Sequence, residues 1–556
     1  MQAKTVQIEH LGIVSQVIEE VGLVESIDRL IPLPNATVSM GQRVASMVLN
    51  ALGFVNHPLY LSENFFDKRP VELLLGNNVK VENLNDDCLG IALDKINEYG
   101  ETQLFSKLAL NIINNLGQLG PNFKLDSTSF SLTGQYKADG AKKDTTGDHD
   151  TSAPQIVAVD YGHSKDHRPD LKQVMMALVT TGPSDFPIMM MPQSGNTSDR
   201  SEFAKIVQAQ AKKLQKEFTI PDMLWAADSA LYNKNWVRSQ KELGILWVTR
   251  APDSLKMSRN GIQQMLSTPK SEWILGSNGY HLFNSTGDHG GDQQRLVVVF
   301  SEQAHKKQVM TFDRNLMKRY LVLSKAVEKL GREEFKCEAD AIKALKKIMA
   351  KEVDFEIASY EINPIERYQG KGRPRKDAEP KIVGYRIDAH LASALQVIRG
   401  KRAQKGMFVL VSNATDTDQH SAMDVLSAYK GLSGTERAFK FLKDPLFMAS
   451  QFYLNKTTRI TALMCVMTIS LMIYTIVQHK VRHACEAENE SIENLAGKPV
   501  KKPSTRNIFQ HFSGISIVRL LDPSGGLISE VFESLNAIQQ KILRLLGPPY
   551  EAIYRC

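Results

Sequence analysis

The chain has 556 residues, 42% hydrophobic and 23% charged, which suits a soluble protein of about three or four domains with real cores. A net charge of +7 and a pI near 8.9 lean mildly towards polyanionic partners. Cys88, Cys337, Cys465, Cys485 and Cys556 are scattered with no C-x-x-C, which excludes a disulfide framework and a zinc ribbon and fits a reducing interior; the first residues offer no apolar core for a secretion signal.

Residues 1–120 read as mostly helical. Apolar side chains recur at spacings of three and four over residues 14–30, Pro32 and Pro34 break the run, and Ser39 opens another helix through Ala45, Val48 and Leu49 to Leu52. Short helices interrupted by Pro58 and Pro70 follow, then a longer one over about 98–116. Several short helices with basic loops suit a helix-turn-helix DNA reader and equally suit any small helical domain.

At Pro121 the pattern turns strand-like. Residues 123–132 alternate and are rich in Ser, Thr and aromatics. A polar loop over 134–152 leads to expected strands at 155–160 and 173–181. A helix then starts at Asp199, with Glu202 in its first turn and an apolar face of Phe203, Ile206, Val207, Ala211 and Leu214. A short buried strand at 223–227 ends at Asp228. A helix through Trp236 and Leu243 and a fifth strand at 245–249 complete the succession β-β-β-α-β-α-β. That succession gives a mixed α/β sheet with helices on its faces, the order of a ribonuclease-H-like fold. In such a fold the strands carrying Asp126 and Asp228 are neighbours, so the two carboxylates can converge on one metal centre at the sheet edge. The competing readings are a turn residue at Asp126 and a helix N-cap at Asp228.

Residues 251–404 interrupt this pattern as an α+β insertion. Strands are expected at 273–275, 280–283 and 295–300, and one or two charged helices over 313–350. The basic stretch 367–376 contains Gly372, Arg373, Pro374 and Arg375. It resembles a minor-groove hook and also reads as a solvated loop.

The core resumes at 406–413 and leads to Tyr429, Glu436 and Lys443. These are seven apart, close to two helical turns per step, so a continuous helix would put them on one face with Arg437 and Lys440 nearby. A lone acid among cations suits a metal ion facing a phosphodiester. Against that stands a capping box from Ser433 to Glu436, with Gly431 and Gly434 marking where one helix ends and another begins.

Residues 460–477 are almost continuously apolar and long enough to span a bilayer. Thr461, Thr468, Ser470, Tyr474 and Thr475 are scattered around that segment, which predicts a buried helix crossing a domain core. Residues 486–507 read as a linker. Leu527, Ile528, Val531, Phe532, Leu535, Ile538, Ile542 and Leu545 then predict an amphipathic helix. The resulting division is 1–120, 121–250, 251–404, 405–485 and 486–556.

Together these pieces resemble bacterial insertion-sequence transposases with an Asp-Asp-Glu triad, in the group marked by Tyr-x2-Arg-x3-Glu-x6-Lys. The signature reads Tyr429, Leu432, Glu436 and Lys443 here, so Leu432 stands where the family has arginine and its phosphate contact passes to Arg437 or Lys440. Further matches surround Asp126 and Asp228, cover 162–170 and continue from Glu436 to Asp444. The resemblance implies that Asp126, Asp228 and Glu436 are catalytic and hold two Mg²⁺ ions, or Mn²⁺ in their place, hard cations that suit carboxylates. It implies nicking at terminal inverted repeats followed by transfer of the freed 3′-hydroxyl into target DNA, with Tyr429 and Lys443 gripping phosphates. It also implies repeat recognition by the N-terminal helices, a DNA-bridged homodimer, and a cytoplasmic place on the bacterial nucleoid with no membrane.

Glu361 and Glu366 are the fallback third ligands. The group His149, His163, Asp166 and His167 fits no ordinary zinc spacing. Lys165, His167 and Arg168 are expected instead to approach the DNA backbone. The rival reading from another class is a DNA-binding protein without catalysis, which metal dependence would discriminate.

Overall fold

The structure, a computed structural model, describes residues 2–55, 58–116, 120, 122–133, 136, 157–164, 166, 168–182, 184–197, 224–227, 229, 232, 237, 245–289, 291–369, 379–444, 447, 454, 456–523 and 526–555. They form two units, Met1–Thr249 with Ser427–Cys556, and Arg250–Leu426.

In the first unit, strand β1 (Gln2–Gln7) pairs antiparallel with Ser516–Leu521, which pairs antiparallel with Leu527–Phe532. The main sheet of this unit consists of β2 (Asn122–Leu132), β3 (Lys172–Thr181), β4 (Phe186–Ser194), β5 (Leu224–Ala227) and β6 (Trp247–Arg250), in the order β4-β3-β2-β5-β6. β2, β3 and β4 form an antiparallel meander, and β5 and β6 run parallel to β2. β3 is buried at every position after its first residue, so it reads as an apolar run covered on both faces.

The third strand of the meander corrects the sequence reading. The expected strand at 155–160 contributes only an isolated bridge, Asp160 with Gln173, and residues 155 and 156 lie outside the described set. The strand that forms is Phe186–Ser194, whose Pro187 and Pro192 argue against a central strand. Both prolines are tolerated because β4 lies at the outer edge of this sheet. The helices expected from Asp199 and through Trp236 fall almost wholly outside the described residues.

The apolar segment is a helix, Thr457–Ala487, long and apolar enough to cross a membrane by composition; 94% of its most apolar 18-residue window is buried inside the protein. It packs against Met40–Leu52, Asp86–Tyr99, Glu101–Leu116, Ala537–Leu546 and β4. Its hydroxyls are satisfied within the helix. Thr468 donates to the Met464 carbonyl at 2.8 Å and Ser470 to that of Val466 at 3.0 Å, which lets polar side chains sit in an apolar core. Near its start, Arg459 donates two bonds to Asp94, at 2.8 and 2.6 Å. The helices at 1–120 thus wrap a helix that follows them by more than 300 residues. The C-terminal tail departs from expectation: Leu527–Phe532 is a strand with Leu527, Ile528 and Val531 exposed, and only Ala537–Leu546 is helical.

In the second unit, β7 (Ile274–Leu275), β8 (Tyr280–His289) and β9 (Asp292–Ser301) form an antiparallel meander, and β12 (Met407–Ser412) pairs antiparallel with β9. β10 (Phe355–Arg367) and β11 (Lys381–Ser393), both missing from the sequence reading, pair as a long antiparallel hairpin. The charged segment forms two helices, Glu302–Gly331 and Glu338–Met349. Val327, Leu330, Ala341, Leu345 and Ile387 make the small core between these helices and the hairpin. At the hairpin base, the buried Asp354 carboxylate accepts from Lys401 at 2.6 Å and from Arg319.

Candidate active site

β2 presents Lys124, Asp126, Thr128 and Phe130 on one face, and its register has no bulge against β3. Directly opposite on β3, and on the same face, stand Thr180, Leu178, Met176 and Val174. Two helices, Leu432–Leu442 and Thr457–Ala487, touch this face. Thr435 and Thr180 share a buried hydroxyl hydrogen bond of 3.0 Å, and Thr468 lies 3.8 Å from the Met176 sulfur.

Leu432–Leu442 lies along β2, and contacts at both ends fix the alignment. At its start, a Cβ on Gly431 would lie 2.8 Å from Cε of Lys124. At its end, Nζ of Lys443 lies 5.7 Å from the centre of the Phe130 ring. From 431 to 443 a helix rises about 18 Å, and from 124 to 130 a strand advances about 20 Å. Counted from the shared Lys124 end, Glu436 is about 7.5 Å along the helix and Asp126 about 6.6 Å along the strand. The two acids therefore stand at the same level. Asp126 is half-buried and accepts from the Ser127 N–H at 2.7 Å; Glu436 is exposed. β5 ends at Ala227, paired in register with Leu125, and the next residue, Asp228, lies outside the described residues.

The clamp that holds this arrangement was not visible in the sequence. Asp185, 8% exposed and at a φ of +58°, accepts from Lys124 at 2.6 Å and from Arg437 at 2.7 Å. Lys124 is two residues from Asp126, and Arg437 adjoins Glu436. One carboxylate therefore ties the strand of the first acid to the helix of the other. Gly434 is required there: a Cβ at that position would sit 1.8 Å from Oδ1 of Asp185. A lysine two places before Asp126 on a buried strand face demands a buried anion, which was the one available signal. Nothing in the spacing points to Asp185, which is 61 residues from Lys124 and 252 from Arg437.

The capping-box reading of Ser433 and Glu436 is not what forms. Ser433 donates to the Lys430 carbonyl at 3.1 Å, and the helix starts at Leu432, with Gly431 as its N-cap at helical φ −58° and ψ −23° and no side-chain cap. Ala422–Lys430, which carries the partly buried Tyr429, ends one residue before Gly431, so the signature spans two successive helices.

The other candidates are placed as follows. Lys443 donates to Asp166 at 2.6 Å. Arg437 serves Asp185 while its side chain remains 66% exposed, and Lys440 is exposed. Arg168 makes a two-bond pair with Asp170, at 2.9 and 2.7 Å, which holds the Asp170 carboxyl below the usual carboxylate range. Lys165, His167, Arg373 and Arg375 lie outside the described residues, as does His149. Glu361 and Glu366 lie on β10, paired with Asp388 and Ile382.

Among the described residues, of which Asp228 is not one, no three His, Cys, Asp or Glu side chains are grouped to hold a metal. The donors at hand, Asp126 on the central strand and Glu436 on the helix along it, are carboxylate oxygens, the donor type that hard divalent cations take.

Residues 3–110 match a family described as "Domain of unknown function (DUF4277)". No curated protein matches the chain. Among solved structures it is similar to one titled "Cryo-EM structure of piggyBac transposase synaptic complex with hairpin DNA (SNHP)", at 9% identity and a TM-score of 0.37, covering 92% of this chain and 83% of that one. A likeness so distant leaves the site to be argued from this chain's own residues.

Proposed function

We propose that the chain is a metal-dependent DNA transposase with a ribonuclease-H-like catalytic sheet, in which Asp126, Asp228 and Glu436 hold two Mg²⁺ or Mn²⁺ ions. The observation that carries this reading is the alignment of the Glu436 helix along β2, which brings two acids 310 residues apart to one level on one sheet face. The strand order β4-β3-β2-β5-β6, with β5 ending beside Leu125, supports the second aspartate at position 228. When bound, divalent ions supply an activated water or 3′-hydroxyl and stabilise the leaving oxygen.

The chain's own groups have distinct tasks in this reading. The three carboxylates hold the ions. Lys443 exchanges Asp166 for a phosphate oxygen, and Tyr429 orients the same strand. Lys440 lies exposed on the same helix for a further phosphate contact. Arg437 positions the Glu436 helix through Asp185, and its exposed side chain leaves room for a second contact to DNA. Terminal inverted repeats, target DNA, a DNA-bridged homodimer and a cytoplasmic, nucleoid-associated setting belong to the same proposal.

The test is nicking of DNA that carries the element's own terminal repeats, by purified full-length protein in Mg²⁺ or Mn²⁺. Asp126→Asn, Asp228→Asn and Glu436→Gln should each abolish nicking and leave repeat binding intact. Cleavage retained by Glu436→Gln overturns the assignment of the third acid. Repeat binding with no metal-dependent cleavage in the parent protein replaces the enzyme with a DNA-binding relative.

A further inference from the structure

The helix Glu302–Gly331 carries seven Lys and Arg against three Asp and Glu, a surplus of four in 30 residues of a chain whose total is +7. Five of those cations fall in one row. Lys307, Arg314, Lys318, Lys325 and Lys329 are spaced 7, 4, 7 and 4 apart, which at 100° per residue confines them to a sector of about 60°. All five are exposed, and none makes an ion pair among the described residues. The buried Leu323, Val327 and Leu330 occupy the opposite side of the helix and pack on the hairpin. Met310, Met317 and Leu321 flank the row and are also exposed. The helix's own acids are paired elsewhere, Glu302 with His281, Asp313 with Arg402 and Glu328 with Arg332.

We propose that this row is a docking ridge for the phosphate backbone of duplex DNA of any sequence. The proposal rests on the transposase reading for the choice of polyanion. From Lys307 to Lys329 the row measures about 33 Å, close to one turn of the DNA double helix at about 34–36 Å. A straight ridge of that length laid along the duplex crosses successive phosphate backbones, so its single row of cations reaches phosphates on either strand. Four of the five are lysines, compact point charges that bind phosphate without bidentate selection of a base edge, hence the indifference to sequence. The ridge would hold target or flanking DNA and leave recognition of the element ends to other parts of the chain.

The experiment measures binding of full-length protein to a 30-base-pair duplex that lacks any terminal repeat, as a function of salt. With about three phosphates contacted at once, replacing all five cations by Gln should make the slope of log K against log salt less negative by about 3, since each neutralised phosphate contributes about 0.9. Lys318→Glu with Lys325→Glu, a smaller change on the exposed face, should weaken binding at least as much per residue altered. An unchanged slope in both variants overturns the ridge, and so does loss of binding to phosphatidylserine vesicles with DNA binding intact. Nicking at the repeats by Glu436 variants is scored separately. A ridge variant with an unchanged slope and normal nicking rejects the ridge alone, whereas a reduced slope in a protein that never nicks supports the ridge without the enzyme.

Discussion

Two helices of nearly equal length divide the physics of this molecule. Thr457–Ala487, with 31 residues, has 19 buried positions and is the centre of the first unit; Glu302–Gly331, with 30, has three and shows its charges to solvent. The first orders its surroundings through apolar area on every side, so the few polar groups near it must be paired. The second is held by a narrow apolar strip, and, Arg319 at Asp354 aside, its cations make no ion pair among the described residues. Buried charge serves stability in both units, at Lys124 and Asp185 in the first and at Asp354 in the second, whereas the cation row on this helix is left for a partner.

The largest break in this contrast should come from Asp185. Asp185→Asn removes the negative charge that neutralises the buried Lys124 ammonium, whose other acceptor is the Gly182 carbonyl at 2.8 Å, and takes the anion from Arg437. Removing one partner from a buried ion pair costs about 3–5 kcal/mol, whereas Lys318→Gln on the exposed helix should stay within about 0.5 kcal/mol. Urea midpoints of the two variants measure the difference, and equal midpoints would remove the distinction between the units. A glycine test follows: Gly434→Ala drives a methyl into the Asp185 carboxylate and should shift the midpoint in the same direction as Asp185→Asn.

Next in size is the apolar core. Ile473→Ala, in the buried helix, should lose about 2–5 kcal/mol, and Met317→Ala, 59% exposed on the other, less than about 0.5 kcal/mol.

Acid sharpens the comparison further. Burial pushes the His10 imidazole down from 6.5 to about 4, partly offset by its bond to the Leu52 carbonyl at 2.7 Å. The unfolded chain takes up this proton first as pH falls. Stability is therefore full above about 6.5 and declines between 6.5 and 4, by about 2 kcal/mol from pH 7 to pH 5. His10→Gln should flatten that limb. In the second unit, burial would raise the Asp354 carboxyl, but Lys401 and Arg319 outweigh it and hold the group below the usual carboxylate range. Its contribution persists at pH 5 and is lost only as pH falls below the ordinary carboxylate range, so the first unit should loosen before the second. Hydrogen exchange at pH 5 tests the order.

Much of the main sheet of the first unit was legible because strands announce themselves by alternation and by apolar runs: β2, β3, β5 and β6 were read within a few residues, as was β12 in the second unit. β4 was missed because Pro187 and Pro192 forbid a central strand and allow an edge one, and edge position is a property of the whole sheet. The C-terminal tail was misread because the apolar pattern from Leu527 to Leu545 satisfies helical spacing while its first half is recruited as a strand by Ser516–Leu521. At the candidate site, Asp126 was singled out by its place on a strand and Glu436 by its spacing from Tyr429 and Lys443. Their supporting pair, Lys124 and Asp185, was not, since long-range ion pairs leave no periodicity. The capping box failed for a related reason: Ser433 is locally suited to cap, but Gly431 keeps helical angles and carries the helix past it.

The pairing of Gln2–Gln7 with Ser516–Leu521 also bears on biosynthesis. At a ribosome's pace of about 5–20 residues per second, the first strand emerges roughly half a minute to two minutes before its partner exists. Throughout that interval its hydrogen-bonding edge is open to whatever extended segment passes nearby, a nascent neighbour on the same message included. The polar side chains of Gln2, Lys4, Thr5 and Gln7, with only Val6 turned inward, keep such chance pairings weak until the proper strand arrives.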